Sequence, residues 1–321
     1  MKNVHTPVLL NEVLRALNPQ PGHTYVDGTF GAGGYTKAIL KHAPCTVYGI
    51  DRDPAATKRG KALEEVEKRF TIVEGNFGDL DRLLADEDVT AVDGIVFDLG
   101  VSSPQLDEAE RGFSFQKDGP LDMRMSQQGP TAADLVNHAP EKKLADIIWQ
   151  YGDEPKSRQI AKAIVARRKK KPFTHTLDLA NVVHGVVPKR PTQKIDPATK
   201  TFQALRIEVN QELKALEKGL YAALNTLKPQ GRLVVVSFHA LEDGYVKKFF
   251  RHHSGRTPNP SRHMPVAKNK TTRPALTIEQ TKAVKPTDIE VRDNPRARSA
   301  RLRWAIRTEH PTPHHPEKEV F

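Results

Sequence analysis

Four apolar segments in the first hundred residues each end in side chains that could do chemistry. The first ends in Asp27 and runs into a glycine-rich turn, 28–34, whose glycines let a backbone approach a ligand closely. The second ends in Asp51, a carboxylate that can accept both hydroxyls of an adenosine ribose. The third ends near Phe77, whose ring can pack on adenine, and the fourth ends in Asp98. If these segments are parallel strands, the side chains meet at one edge of a sheet, where ligands bind.

This order of acid, glycines, acid and aromatic ring is the layout of a site for S-adenosylmethionine. It does not complete a dinucleotide fingerprint, because the third glycine or alanine would stand at position 36, which is Thr36. S-adenosylmethionine has no pyrophosphate, and its sulfonium and amino groups are cations that suit Asp27 and Asp98. The simpler interpretation of Asp51 is a cap for the helix that follows it.

The single cysteine limits the kinds of atom that could accept a methyl group. Methylation of a pyrimidine at C5 generally needs a thiolate nucleophile, and Cys45 lies at the amino end of the second strand, away from the ligand edge. Transfer to oxygen, nitrogen or an exocyclic amine remains. An aromatic amine is a poor nucleophile and needs a proton acceptor, for which Asp98 is well placed, together with close alignment of the reacting atoms. We find no cysteine and histidine spacing typical of a metal site, and expect no metal.

The elements that must position these residues alternate between strands and helices. The segments TYVDGTF, TVYGIDRD, FTIVEGNF and GIVFDL predict strands of a parallel sheet covered on both faces. About a hundred residues of helical pattern follow, and we expect a helical insertion over 101–206. The sheet then resumes with a long helix over 201–227, a strand GRLVVVSFH, a helix over 243–251 and a final strand ARLRWAIRT. The segment GAGGYTKAILKH, 31–42, predicts a glycine-rich turn that runs into a helix, and the other predicted helices are 7–17, 54–68, 80–85, 131–136, 141–151, 156–169 and 177–187.

Charge indicates a polyanionic partner. The 321 residues carry a net charge of +11, and basic residues concentrate in RRKKK at 167–171 and in 244–278, which has eight Lys or Arg and no acidic residue. The alternative for 167–171 is a helix end that favours cations. No apolar run approaches the roughly 20 residues of a membrane span, no signal-peptide pattern is present, and a lone cysteine fits a reducing cytoplasm.

An irregular stretch, FDLGVSSPQLDEAERGFSFQKDGPLDMRM at 97–125, is the most distinctive part of the chain. Such a loop is either a solvated surface or a site. This stretch resembles the ribosomal RNA small-subunit methyltransferase H family (RsmH, also called MraW), in register from about His5 to Arg303. Other segments that resemble the family are HTPVLLNEVL, DGTFGAGGYT, GIDRDPAA, YGDE, PATKTFQALRIEVNQEL, GRLVVVSFHALED and NPRARSARLR.

The resemblance implies N4-methylation of one cytidine in the decoding region of 16S rRNA, using S-adenosylmethionine, in the cytoplasm. It implies an α/β fold: a Rossmann-like class I methyltransferase sheet over 1–100 and 207–310, with an inserted all-helical domain over 101–206 and a loose tail over 311–321. The partner would be 16S rRNA or the assembled small ribosomal subunit, and a homodimer is compatible with the family. By position the resemblance implies these cofactor contacts, with Asp98 also catalytic: Gly33, Gly34, Tyr35, Asp51, Phe77, Asp98 and Gln105.

Three positions depart from the family pattern. Tyr35 stands where His is frequent, Ala240 where Ser is usual, and Gly244 where Arg is usual. On the substrate side we expect contacts from Arg111, Arg124, Arg206 and His239. Their alternatives are pairing of the arginines with nearby carboxylates and a helix cap in the SFHALED segment.

Two other functions stay open from the sequence. One is a DNA amino-methyltransferase, although Asp98 is followed by Leu-Gly-Val rather than by the Pro-Pro-aromatic loop of those enzymes. The other is a basic ribosome assembly factor that holds S-adenosylmethionine without turnover.

Overall fold

A computed structural model describes residues 7–189, 193, 195–256 and 273–310. The chain divides into two compact units, one of Met1–Gly100 with Lys214–Phe321 and the other of Val101–Leu213. The predicted tail, 311–321, and residues 257–272 of the basic stretch 244–278 lie outside the described residues. No described helix combines the length and the apolar character that crossing a bilayer requires.

The first unit is built on a sheet that has seven strands among the described residues. They are β1 (Thr24–Asp27), β2 (Thr46–Asp51), β3 (Phe70–Glu74), β4 (Val92–Asp98), β5 (Leu227–Ser237), β6 (Leu276–Thr277) and β7 (Arg301–Arg307). Their order is β3-β2-β1-β4-β5-β7-β6. Strands β1 to β5 pair in parallel, and β7 is antiparallel to β5 and β6. The parallel sheet and the final strand are confirmed, whereas β6 was not predicted.

The described residues form thirteen α-helices. They are α1 (Leu10–Leu17), α2 (Gly34–His42), α3 (Pro54–Val66), α4 (Leu80–Ala85), α5 (Ser103–Asp107), α6 (Ala132–His138), α7 (Glu141–Gly152), α8 (Ser157–Arg168), α9 (Thr176–Val186), α10 (Ala198–Asn210), α11 (Glu212–Thr226), α12 (Ala240–His253) and α13 (Asp288–Asp293). Helices α5 and α13 were not predicted, since both are short and lie in irregular sequence.

Strand β4 shows why the sheet is covered on both faces. Successive strand residues point to opposite faces. Phe97 belongs to one buried apolar cluster together with Val235 of β5, and Val96 belongs to the other together with Val234. All four side chains are 0–1% exposed. A continuous apolar run is therefore what this strand needs, in place of the alternation of a half-buried strand.

The second unit has an apolar core of its own among helices α6 to α10. The irregular stretch contributes to it, because Phe113 and Leu121 are buried and Phe115 packs edge-on against Phe202 with ring centroids 4.8 Å apart. Both phenylalanines therefore take part in core packing.

The long helix predicted over 201–227 is wrong, because two helices occupy this region. Gln211, between α10 and α11, has a left-handed backbone with φ 49°. The Asn210 side chain donates to the Met123 carbonyl at 2.7 Å and accepts from the Met125 amide at 2.9 Å, so it anchors the irregular stretch. No glycine or proline marks the break between α10 and α11 in the sequence. The hydrogen bonds of Asn210 to Met123 and Met125 accompany the break instead.

Candidate active site at the carboxyl ends of the strands

The first unit brings the four predicted strand-end residues to one edge of the sheet. Strands β3, β2, β1 and β4 are neighbours, so Phe77, Asp51, Asp27 and Asp98 follow one another along this edge. Asp27 is in register with Val96, and Asp98 lies two residues further along β4, in register with Val236 of β5. The four side chains therefore lie along one edge, as expected.

The glycine-rich turn after β1 is fixed by close packing. A Cβ on Gly28 would lie 2.4 Å from the Phe97 ring, and one on Gly34 would lie 2.4 Å from Pro7. Gly33 precedes α2 with a φ of 74°, a backbone conformation that side-chain-bearing residues rarely adopt. The turn therefore leaves backbone, rather than side chains, at the edge beside Asp27.

Asp51 organises the same turn. Its Oδ2 accepts from the Gly31 amide at 2.7 Å, and its Oδ1 accepts from the Asp53 amide at 2.9 Å. Burial raises the pKa of Asp51 despite these two hydrogen bonds. Helix α3 is capped by Asp53, which accepts from the Ala55 amide at 2.9 Å. The capping alternative for Asp51 is therefore wrong, and a carboxylate retains lone pairs that could accept ribose hydroxyls.

Asp27 is almost completely buried at the centre of this edge. Its Oδ2 accepts from the Thr36 hydroxyl at 2.8 Å and from the Thr36 amide at 3.2 Å. Thr36, which breaks the dinucleotide pattern, therefore holds this carboxyl group. Burial raises the pKa of Asp27 to about 6, against the lowering effect of its hydrogen bonds.

Asp98 has a buried acceptor atom that faces the question of a ligand most directly. Its backbone amide donates to the Thr29 hydroxyl at 2.6 Å, but its Oδ1 is buried and has no hydrogen-bond partner among the described residues. Burial, followed by the neighbouring charges of Asp27 and Glu242, raises the pKa of Asp98 well above its usual range. A buried polar atom without a partner costs stability, and functional sites commonly hold such atoms. A cation at this edge would relieve the cost.

Phe77 and Tyr35 differ in what they offer a ligand. The Phe77 ring is half-buried and packs on Phe97 with centroids 5.1 Å apart, while Gly219 leaves room for it. Tyr35 is buried, and its hydroxyl donates to the Val8 carbonyl. The tyrosine side chain thus holds the N-terminal segment, which leaves only its backbone for the predicted cofactor contact.

His239 begins α12 as its cap. Its Nδ1 accepts from the Glu242 amide at 3.4 Å, while a Glu242 carboxylate oxygen accepts from the Phe238 amide at 2.8 Å. The Nε2 atom lies 3.0 Å from Glu242 Oε1 without the alignment of a hydrogen bond. The next residue, Asp243, binds Arg301 and Arg303. The capping alternative describes this segment, and a substrate contact by His239 stays a prediction.

The predicted site residues of the second unit all have partners within it. Gln105 caps α5 by accepting from the Ser102 amide at 3.0 Å. Arg111 donates to the Arg124 and Met125 carbonyls, each at 3.1 Å. Arg124 pairs with Asp122 at 2.7 Å, and Arg206 forms two hydrogen bonds of 2.9 Å to Glu212. Pairing with carboxylates, the alternative for these arginines, is found for two of the three.

The basic tract 167–171 contains two kinds of cation. Arg168 donates to the Val136 and Ala139 carbonyls, each at 2.8 Å, and so caps the end of α6. Arg167 pairs with Asp178 at 3.2 Å and lies over the Phe173 ring. The three lysines, 169–171, are exposed. Sequence alone could not separate these roles, because all five residues look like one charged run.

Because the arginines and the lysines of the tract have different surroundings, we predict different effects for their substitutions. Arg168→Ala is expected to lower the free energy of unfolding by about 2 kcal/mol, because it leaves two helix-end carbonyls without their charged donor. Replacing Lys169, Lys170 and Lys171 together by Ala is expected to change stability by less than about 0.5 kcal/mol and to weaken RNA binding. Urea unfolding and RNA titration measure the two effects. Unchanged RNA affinity in the triple variant would exclude these lysines as RNA contacts.

Cys45 lies at the opposite end of β2 from Asp51. It is 3% exposed, packs in an apolar cluster, and burial raises the pKa of its thiol. Neither its place nor its ionisation suits a nucleophile, which agrees with the exclusion of C5 chemistry.

Solved structures that resemble the chain are distant from it. TrmN from Thermus thermophilus is 12% identical with a TM-score of 0.41, over 93% of this chain and 48% of that one. A SAM-dependent O-methyltransferase from Thermotoga maritima is 10% identical with a TM-score of 0.39, over 97% of this chain and 70% of that one. These similarities are too weak to indicate a function.

Curated relatives are much closer. Ribosomal RNA small subunit methyltransferase H of Rhodospirillum rubrum is 57% identical over 96% of this chain and 95% of its own length. The protein of the same name from Paramagnetospirillum magneticum is 56% identical over 96% of each chain. The protein of that name from Hyphomonas neptunium is 54% identical over 95% of this chain and 89% of its own.

The Rossmann-like sheet and its edge fit S-adenosylmethionine, the methyl donor of this chain. The turn of glycines lets a ligand approach the backbone, and the carboxyl groups of Asp27, which is buried, and of Asp98, whose Oδ1 is buried, suit its two positive charges. The family model described as the MraW methylase family matches residues 2–308. With this match over nearly its whole length, the chain belongs to the MraW methylase family.

Proposed function

We propose that this methyltransferase modifies the exocyclic N4 amine of one cytidine in the decoding region of 16S rRNA. The observation that carries the proposal is the Oδ1 atom of Asp98 at the sheet edge, which is buried and has no hydrogen-bond partner within the described part of the chain. Relatives that are 52–57% identical bear the name of a ribosomal RNA small subunit methyltransferase, which supports the substrate class. The substrate is then 16S rRNA or the assembled small subunit, and the enzyme acts in the cytoplasm.

In the proposed site, three carboxyl groups have separate tasks. Asp51 accepts the ribose hydroxyls of the donor, Phe77 packs on its adenine, and Asp27 faces its positive charges. Bound S-adenosylmethionine supplies an electrophilic methyl group and a sulfonium charge. Asp98 accepts a proton from the cytidine amine, which lets the nitrogen lone pair leave the ring system and point at the methyl carbon.

The ionisation of Asp98 is coupled to the presence of a cation. In the free protein its raised pKa favours the protonated form, which cannot accept a proton. A positive charge within a few ångströms favours the carboxylate. Asp98 therefore becomes a carboxylate base when S-adenosylmethionine is bound beside it. No additional group is needed to remove its proton.

The same coupling predicts that S-adenosylmethionine binds more tightly as pH rises from 5 to 7. The pKa of Asp27 is raised to about 6, so this group is neutral below that pH and negative above it. Since a cation prefers the negative form, binding releases a proton, and Kd falls by up to about tenfold per pH unit. Calorimetry in two buffers measures the released proton. S-adenosylhomocysteine lacks the sulfonium charge and should show a smaller effect; a Kd independent of pH would contradict the proposed role of the carboxyl groups.

A methyl-transfer assay on three substrates tests the proposed function. Small ribosomal subunits, free 16S rRNA and duplex DNA are each incubated with enzyme and labelled S-adenosylmethionine, and the product nucleosides are identified. The proposal predicts N4-methylcytidine at one position of the RNA and no label in DNA. Label in DNA would favour an amino-methyltransferase of DNA, and binding without transfer to any substrate would favour an assembly factor.

A further inference from the structure

A basic cleft in the first unit lies apart from the row of strand-end carboxyl groups. Its volume is about 250 Å³, and it is formed by α12, by the segment that follows β6, and by β7. Its cations are Lys247, Arg251, Arg256 and Arg303, and its apolar floor is Phe250 and Ile278. The side chains that line the cleft include no carboxylate.

Arg303 is the fixed member of this group. It donates to Asp243 at 2.7 and 3.2 Å and to the Thr281 carbonyl at 3.0 Å, and its side chain is 12% exposed. Asp243 is also bound by Arg301 at 2.8 Å, so the charge of this carboxylate is already shared by two arginines. The inner wall of the cleft is therefore rigid and has no surplus negative charge.

The other three cations are exposed and available. Among the described residues, no carboxylate pairs with Lys247, Arg251 or Arg256. Arg251 donates through Nε to the Arg256 carbonyl at 3.4 Å. Like charges gathered around one cleft repel one another, and an anion that enters the cleft removes this repulsion.

The apolar part of the lining, Phe250 and Ile278, indicates which class of anion fits the cleft. Phe250 is 2% exposed and Ile278 is 9% exposed, so the apolar surface that they add to the lining of the cleft is small. A simple inorganic anion has no use for such a surface. A nucleotide has a flat base for the floor and a phosphate for the rim.

The sheet register places the cleft near the proposed cytidine site. Arg303 of β7 is in register with Val235 of β5, which is in register with Phe97, the residue before Asp98. Two strand spacings separate β7 from β4, which is roughly 10 Å. A nucleotide close to the target in the same RNA strand could span this distance.

We propose that the cleft binds a nucleotide that adjoins the target cytidine in single-stranded RNA. Its phosphates contact Lys247, Arg251 and Arg256, and its base lies against Phe250 and Ile278. The identity of the target rests on the proposed function, whereas the affinity of the cleft for an RNA strand does not. The cleft would hold the strand while the cytidine turns toward Asp98.

The salt dependence of RNA binding tests this proposal. The probe is a fluorescent 12-nucleotide RNA of mixed sequence, titrated with full-length protein between 50 and 200 mM salt. Lys247→Ala with Arg251→Ala is expected to lower the slope of log K against log salt by about 1.4, because each lost phosphate contact on a single strand removes about 0.7. The affinity for S-adenosylmethionine should not change.

The matched control removes two exposed lysines of α3 in the same unit, Lys58→Ala with Lys61→Ala. It is expected to keep the wild-type slope. Equal slopes for the cleft variant and the wild type, or equal losses in both double variants, would overturn the proposal. A cleft variant that loses affinity for a protein partner but not for RNA would overturn it as well.

Methyl transfer to small subunits separates this proposal from the proposed function. If the wild-type enzyme makes no N4-methylcytidine, the proposed function fails, and the salt slope still decides whether the cleft binds RNA. If the wild type is active and the slope of the cleft variant is unchanged, the cleft proposal alone fails.

Discussion

Asp98→Asn is expected to lower kcat for methyl transfer by about 10³-fold, with a much smaller change in the affinity for S-adenosylmethionine. Asparagine has nearly the shape of aspartate and leaves the backbone hydrogen bond to Thr29 in place. Its amide oxygen can still accept a hydrogen bond from an amine, but it cannot take the proton. Single-turnover kinetics with small ribosomal subunits measure the effect apart from product release.

Stability provides the control for this substitution. The folded-state pKa of Asp98 is raised above its usual value of 3.8, so the carboxyl group supports the fold below that pH and loses this contribution as pH rises through the folded pKa. The asparagine variant without ligand should therefore unfold at the same or a higher temperature than the wild type at pH 8. If the variant retains wild-type turnover, Asp98 does not take part in the chemistry. If the variant unfolds at a lower temperature than the wild type, the raised pKa of Asp98 is contradicted.

Asp51→Asn is expected to weaken the binding of S-adenosylmethionine by about 100-fold. Two charge-assisted hydrogen bonds to the ribose hydroxyls are lost or weakened, at a cost of about 3 kcal/mol in total. The amide can also accept from only one of the Gly31 and Asp53 amides that the carboxylate now holds, so the glycine-rich turn loses part of its support. Calorimetry at pH 7 measures the change in Kd.

A matched substitution two residues away separates a ribose contact from a general effect of negative charge beside this turn. Asp53→Asn removes one negative charge and keeps the cap of α3, since asparagine caps helices as well as aspartate does. It is expected to leave Kd within about twofold of the wild type, because the cap hydrogen bond to the Ala55 amide is kept. Equal losses of affinity in the two variants would show that Asp51 acts through its charge and not by a contact with the ribose.

Local sequence signals were sufficient for β1 to β5 and for the residues at the carboxyl ends of the first four strands. The apolar run of β4 and the carboxylate that ends it depend on features that any parallel strand must have, namely burial on both faces and an open carboxyl end. The same holds for Asp51, whose position after β2 follows from the length of one strand, turn and helix.

Features that depend on distant contacts were beyond the sequence. Gln211 interrupts a pattern of continuous helical periodicity, and the contact that accompanies the break is between Asn210 and residues 85–87 positions away. The arginines of the irregular stretch and of 167–171 were equally ambiguous, because a charged side chain gives no local sign of whether a carbonyl, a carboxylate or solvent will be its partner. Arg168, which caps α6 from 29–32 positions away, is the clearest case.

The most direct test of the site is a crystal structure of the enzyme with S-adenosylmethionine and a cytidine-containing oligonucleotide. We predict that the ribose hydroxyls contact Asp51, that the adenine lies against Phe77, and that the carboxylate of Asp98 is within hydrogen-bond distance of the cytidine N4 atom. An adenosine bound away from the ends of β1 and β2, or an Asp98 side chain without contact to the nucleobase, would contradict the account.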